Sequence, residues 1–437
     1  MYERAEQGIF PGKHFDFFQE VSGQEVTVAV EKIVQLIDGW SSELVDFTCE
    51  LIATPSENPP GDERKVARLL MDKLDRLGLT GAFTTSELPE RPNVLYRLKG
   101  NGGGRTLLYI GHIDTKPVGD VRELWRTDPL KPTIKDGRLY GLGAADMKAA
   151  VAAFVYAAAA LKEAGPLLGD LLLALVADEE AGGKYGAQYL SRKYGIKADM
   201  ALIGEPPGVK REWESLHLGC RGISCFTIKV YGTQMHSSVS DRLPSVNASV
   251  KMAELLVRMS RELKFNFTPH PLCPNGVTRN LGVMVKAGVY FGVYPGYAEF
   301  SSDLRTVPGM NKEMVVRDLE AFLEGCRKDD PSLNVKLEFA PAPLDWIAPT
   351  EVSQDLPIAQ ALANAAEQVL GFRPPFDIYP AVTDSGKFQL EAGIPTVPAF
   401  GAGVISVCHG PNEWVGVESI VQACKIYALA AYDVLRQ

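Results

Sequence analysis

A histidine and an aspartate stand two residues apart in Gly111-His112-Ile113-Asp114, straight after the apolar run Thr106-Leu107-Leu108-Tyr109-Ile110. Asp146, the pair Glu179-Glu180, Glu205 and His409 occupy comparable settings, at the ends of apolar runs or at the start of a helix. Imidazole and carboxylate donors are what a borderline divalent cation such as zinc binds, and no thiolate is required. The chain has only six histidines, so abundance does not explain two of them beside acids at strand ends. This donor set points to a metal-dependent hydrolase. Asp114 is better suited to accept a hydrogen bond from His112, fixing the ring tautomer, than to ligate. Asp146, at an expected helix start, is free to bridge two cations. Of the adjacent glutamates, one can bind metal while the other takes a proton from water.

Each candidate alone is weak, because a lone acid at a strand end is usually a solvated loop residue. Their convergence carries the argument. Residues 106–110, 171–177 and 199–203 read as buried strands, and His112, Glu179-Glu180 and Glu205 follow their carboxyl ends. Open α/β sheets bind ligands at that edge. Strands at 93–98 and 395–400 and helices at 147–162 and 418–435 complete an α/β layer structure with a mostly parallel sheet. The stretch 213–331 differs. Its strands at 224–230, 282–289 and 297–305 alternate in polarity, and two amphipathic helices at 245–263 and 312–323 accompany them. An α+β domain inserted into the α/β body is expected there, leaving 41–212 and 332–437 as the body. Residues 1–40 show no clear period before 28 and are expected to pack on the body or on a neighbouring subunit.

At 437 residues the chain exceeds one ordinary core, consistent with two domains. No apolar stretch of transmembrane length is expected, the longest candidate being 149–161. The N-terminus lacks a basic start followed by an apolar segment. Seven cysteines form no CxxC pair, and their odd number fits reduced thiols in a cytoplasmic protein. A net charge of −9 argues against nucleic acid or an anionic membrane as partner.

At these residues the chain resembles the M20 metallopeptidase or aminoacylase family, which includes acetylornithine deacetylase, succinyl-diaminopimelate desuccinylase and carboxypeptidase G2. The matching segments include Gly111 to Thr115, Ala145-Asp146-Met147-Lys148, Asp178-Glu179-Glu180, Gly204-Glu205-Pro206, Gly232 to His236, Asp303 to Gly309 and His409 to Glu413, in the family's order. The resemblance implies two divalent ions bridged by Asp146, zinc first, with manganese or cobalt as alternatives. One ion would also take His112 and Glu205, the other Glu180 and His409. Glu179 would be the general base and Asp114 the orienting partner of His112. The inserted domain would be a lid that mediates a homodimer, with His236 offered to the partner's site and Arg305 holding a substrate carboxylate.

Four segments depart from the family's pattern: Leu142, Gly292, Ala381 to Ser385, and Gly401-Ala402-Gly403 in place of a Gly-Pro-Gly loop. Gly401 and Gly403 are expected to border the substrate. None of these changes touches a metal ligand, so hydrolysis of a C–N bond is retained. The default substrate is a small N-acyl amino acid or dipeptide-like molecule. The alternatives are a carbamate, an aromatic amine lost as ammonia, or a catalytically silent binding protein, against which the intact ligand set and Glu179 speak.

Overall fold

The computed structural model describes residues 13–437, with side chains from residue 26 onward, 120 and 121 excepted. Its main sheet has six strands in the order Phe83–Thr85, Asn93–Leu98, Asp170–Val176, Thr106–His112, Met200–Ile203 and Thr396–Val397. The last four run parallel, while Phe83–Thr85 and Asn93–Leu98 add antiparallel pairs at one edge. The central strands are apolar because helices cover the sheet, burying residues such as Leu107, Tyr109, Leu173 and Leu202. Within this layer Tyr109 stacks on Phe154, and Tyr427 packs against both at a tilt, tying strand to helix.

The helix Ala149–Ala164 is wholly inside this core except for its last turn. With the preceding turn it forms an apolar run, Ala144–Ala164, that is long and apolar enough to cross a membrane. That corrects the expectation that no such stretch exists. The run is nevertheless buried in the protein, and its alanines suit close packing against neighbouring helices rather than contact with lipid. Residues 13–39 form one helix, Lys13–Gly39, which begins well before the first apolar spacing visible in the sequence. Ile33 and Ile37, one turn apart, sink into the same core, so this segment packs on the body. Residues 1–12 lie outside the described part.

The inserted domain is a four-stranded antiparallel sheet in the order Thr278–Ala287, Tyr297–Thr306, Gly222–Tyr231 and Asn334–Phe339. One face carries Phe226, Ile228, Val230, Phe300 and Leu304 against Met252, Leu255, Met259, Val315, Leu319 and Leu323 of two helices, Ala248–Glu262 and Lys312–Asp329. The sheet takes in Asn334–Phe339, beyond residue 331. Thr278–Ala287 differs from its expected half-buried alternation. It is an edge strand, exposed over most of its length, with a register irregularity between Asn280 and Met284.

Candidate metal centre

His112 ends the central strand and is buried, and Glu205 follows the neighbouring strand Met200–Ile203. Glu179 and Glu180 form a single tight turn after Asp170–Val176, entered through Asp178 in the left-handed region at φ 68°. Asp146 does not open a regular helix as expected. Its backbone is extended (φ −120°, ψ 90°), and the helix starts only at Ala149. The buried carboxylate of Glu413 explains this, because it accepts the N–H groups of Gly143 (2.9 Å), Ala145 (2.9 Å) and Asp146 (3.1 Å). A side chain 267 residues away thus supplies acceptors for a turn that no helix satisfies.

The five candidate ligands and the candidate base Glu179 come together. The two oxygens of Asp146 face different imidazoles: Oδ1 lies 2.8 Å from His112 Nε2, and Oδ2 lies 3.1 Å from His409 Nε2. Glu205 stands 3.6 Å from His112 Nε2, and Glu180 Oε2 stands 3.2 Å from His409 Nε2. Glu179 shares one close group with His112 and Glu205, while His112, Asp146 and Glu180 form another. These nitrogen and oxygen donors, converging from separate elements, suit borderline or hard divalent cations.

In this crowding of acids and imidazoles, His112, His409, Glu179 and Glu205 are all shifted upward. Against the opposing pull of burial, contact with Asp146 holds the His112 ring well above the ordinary imidazole range. Hydrogen bonds with Asp146 and Glu180 push His409 up to about 10. Burial, then repulsion from Asp384, raises Glu179 to about 8. Burial, then Asp146, raises Glu205 well above the carboxylate range. Carboxylates crowded in this way favour either a proton or a metal cation.

Asp114 sits behind the ligands, fully buried. The His112 Nδ1 group donates to its backbone carbonyl at 3.0 Å, whereas its carboxylate is 3.6 Å from the ring. The carboxylate instead accepts the backbone N–H groups of Glu179 and Glu180, both at 3.2 Å, and the Asn58 amide at 2.8 Å. It therefore fixes the glutamate turn. Arg91 extends this buried network by donating to Asp178 at 2.7 Å, and Asn58 also donates to Asp178 at 3.2 Å. Asn58, Arg91, Lys116 and Glu413 were not singled out from the sequence. Glu413 had a signal, since it lies in the same segment as His409.

Other expected residues lie elsewhere. His236 is exposed on the inserted domain, where its Nδ1 accepts from the Ser238 hydroxyl at 2.8 Å. Arg305 engages Asp303, two residues along its own strand, at 2.9 Å. Among the described residues no hydrogen bond or ion pair joins either to the cluster. Gly401 and Gly403 pack against the backbone of the centre. A Cβ on Gly401 would stand 2.0 Å from the carbonyl of Gly204, and one on Gly403 would stand 2.7 Å from the Cβ of Ala145. Their lack of side chains lets this loop pack closely on the strand end that precedes Glu205 and on the turn that carries Asp146.

Residues 108–433 match the model of peptidase family M20/M25/M40. The chain belongs to that family. It is 32% identical over 290 residues to succinyl-diaminopimelate desuccinylase of Xanthomonas campestris pv. campestris, covering 65% of this chain and 73% of that protein. Human carnosine dipeptidase 1 shares the fold, with a TM-score of 0.68, 21% identity, and coverage of 93% of this chain and 99% of that one. So does the Bacillus subtilis YXEP protein, described as a dinuclear metal binding peptidase, with a TM-score of 0.61, 17% identity, and coverage of 91% and 99%. Like its family, this chain is a hydrolase that acts on amide bonds.

Proposed function

We propose that this hydrolase cleaves the amide bond of a small N-acyl amino acid or dipeptide-like substrate with a free carboxylate, using two divalent cations held by its own side chains. The observation that carries the reading is the Asp146 carboxylate, set between two imidazoles with one oxygen to each. His112, Asp146 and Glu205 would hold one ion, and Asp146, Glu180 and His409 the other. Zinc heads the candidates for this donor set, with manganese and cobalt as alternatives. Such ions, when bound, polarise a scissile carbonyl and make water more acidic. Glu179 takes the proton of the attacking water and delivers it to the leaving nitrogen. Asp114 keeps Glu179 aimed through the turn's backbone, and Arg305 receives the substrate carboxylate once the lid closes over the site.

The active form is a homodimer through the inserted domain. Its edge strand Thr278–Ala287 exposes Val283, Met284 and Val285, and the adjoining helix exposes Val250 and Val257. An unpaired apolar edge of this kind is a template for a second strand. With Nδ1 engaged by Ser238, His236 has its Nε2 left for a partner's substrate, where it would stabilise an oxyanion. The protein works on small molecules in the cytoplasm, with neither nucleic acid nor membrane as a partner. The test is a hydrolysis screen of metal-loaded protein over N-succinyl and N-acetyl amino acids, dipeptides, carbamates and aryl amines. A carboxylic acid and an amino acid released together support the proposal. Ammonia without a carboxylic acid replaces it with an aminohydrolase reading.

A further inference from the structure

Lys116 touches the centre in a way that the proposed chemistry does not use. The segment carrying it is fixed on both sides. Thr115 donates its N–H to Ser56 at 3.0 Å and accepts that of Asn58 at 2.8 Å, while Val118 donates to the Glu57 carboxylate at 2.8 Å. The Lys116 backbone N–H then reaches Glu180 Oε1 at 3.1 Å, and its ammonium lies 3.1 Å from Glu180 Oε2 and also contacts the Glu180 carbonyl. Glu180 Oε2 is the same oxygen that faces His409 at 3.2 Å. The other half of the centre is built differently. His112 and Glu205 are 1% and 7% exposed, and among the described residues no ammonium contacts either, whereas His409 is 50% exposed.

We propose that Lys116 is a tethered monocation that competes for Glu180, making the Glu180–His409 half of the centre the weaker and more readily exchanged cation site. This rests on the two-cation reading above. An ammonium beside a carboxylate oxygen withdraws field from it and repels an incoming dication. The orientation of Glu180 does not depend on that charge, because the neutral backbone N–H of Lys116 already holds Oε1. The side chain of Lys116 is 36% exposed, so the ammonium can leave for water when a dication arrives. The cost of displacing it lowers the apparent affinity of that half alone.

The experiment is equilibrium dialysis of the full chain against zinc, and separately cobalt, with bound metal read by elemental analysis and cobalt also by its visible absorption. Wild type should show two affinity classes. In Lys116→Met the weaker class should tighten by about tenfold or more, with the tighter class unmoved. Lys116→Arg should keep the two classes apart. Should Lys116→Met fail to fold by circular dichroism, Lys116→Gln is read in the same way. An unchanged gap in the neutral variant, or a weaker class that loosens further, overturns the role given to Lys116. Wild type that saturates below two ions per chain instead overturns the two-cation reading on which it stands.

Discussion

Replacing Asp114 by asparagine keeps the shape of the side chain and removes one of its two acceptor positions. In the native arrangement Oδ1 accepts from the Glu179 N–H, and Oδ2 accepts from both the Glu180 N–H and the Asn58 amide. Whichever way the new amide turns, its NH₂ meets at least one of these donors, and the site is fully buried. Asn58 cannot readily flip to compensate, because its own oxygen faces Arg91 at 3.4 Å. A hydrogen bond to a charged acceptor contributes about 1.5–3 kcal/mol, and a neutral one about 0.5–1.5 kcal/mol. Losing one such bond and weakening the others amounts to about 2–3 kcal/mol. Expressed at the glutamate turn, that is a fall in kcat/KM of roughly 30- to 150-fold, comparable with the ~10–100-fold cost of removing other groups that orient metal ligands. The assay is steady-state hydrolysis of the best substrate from the screen, with metal content measured on the same preparation. A variant with full metal and kcat/KM within about threefold of wild type would show that the turn holds its place without this carboxylate.

The adjacent glutamates should separate cleanly. Glu179→Gln keeps both ions and loses about 10²–10⁴-fold in kcat, whereas Glu180→Gln loses the ion shared with His409, and elemental analysis that finds the reverse exchanges their roles. Gly401→Ala drives a methyl group toward the Gly204 carbonyl at 2.0 Å, so it should cost about 1–3 kcal/mol of stability and loosen metal at the Glu205 half; an unchanged Tm and metal content would refute the close-packing role. His236→Ala should lower kcat without loss of metal, and mixing it with Glu179→Gln under subunit exchange should restore activity. No recovery despite proven exchange would mean that His236 acts within its own chain or outside catalysis.

The candidate ligands are legible in the sequence because a strand of five or six apolar residues announces both its burial and its carboxyl end. His112, Glu180 and Glu205 then fall at one sheet edge by topology alone. The support behind them was not legible. Asn58 reaches Asp114 across 56 residues, Arg91 reaches Asp178 across 87, and Glu413 reaches Asp146 across 267, and no local period reports such approaches. Asp146 is expected at a helix start, but its backbone there is irregular, since helical spacing in Ala149–Ala164 extrapolates smoothly through a turn that Glu413 holds open. Alternation over 282–289 predicts a half-buried strand, although the observed edge strand Thr278–Ala287 is mostly exposed. Alternation identifies a strand without saying which side is covered.

On the proposed reading, Asp146 bridges two divalent ions in an amide hydrolase. The most direct test of that bridge is anomalous diffraction at the metal's absorption edge from crystals of zinc-loaded protein. Two peaks are expected, one among His112, Glu205 and Asp146 Oδ1, the other among His409, Glu180 and Asp146 Oδ2. Both should vanish in Asp146→Ala. A single peak, or two peaks that persist without the Asp146 carboxylate, would rule out the bridge.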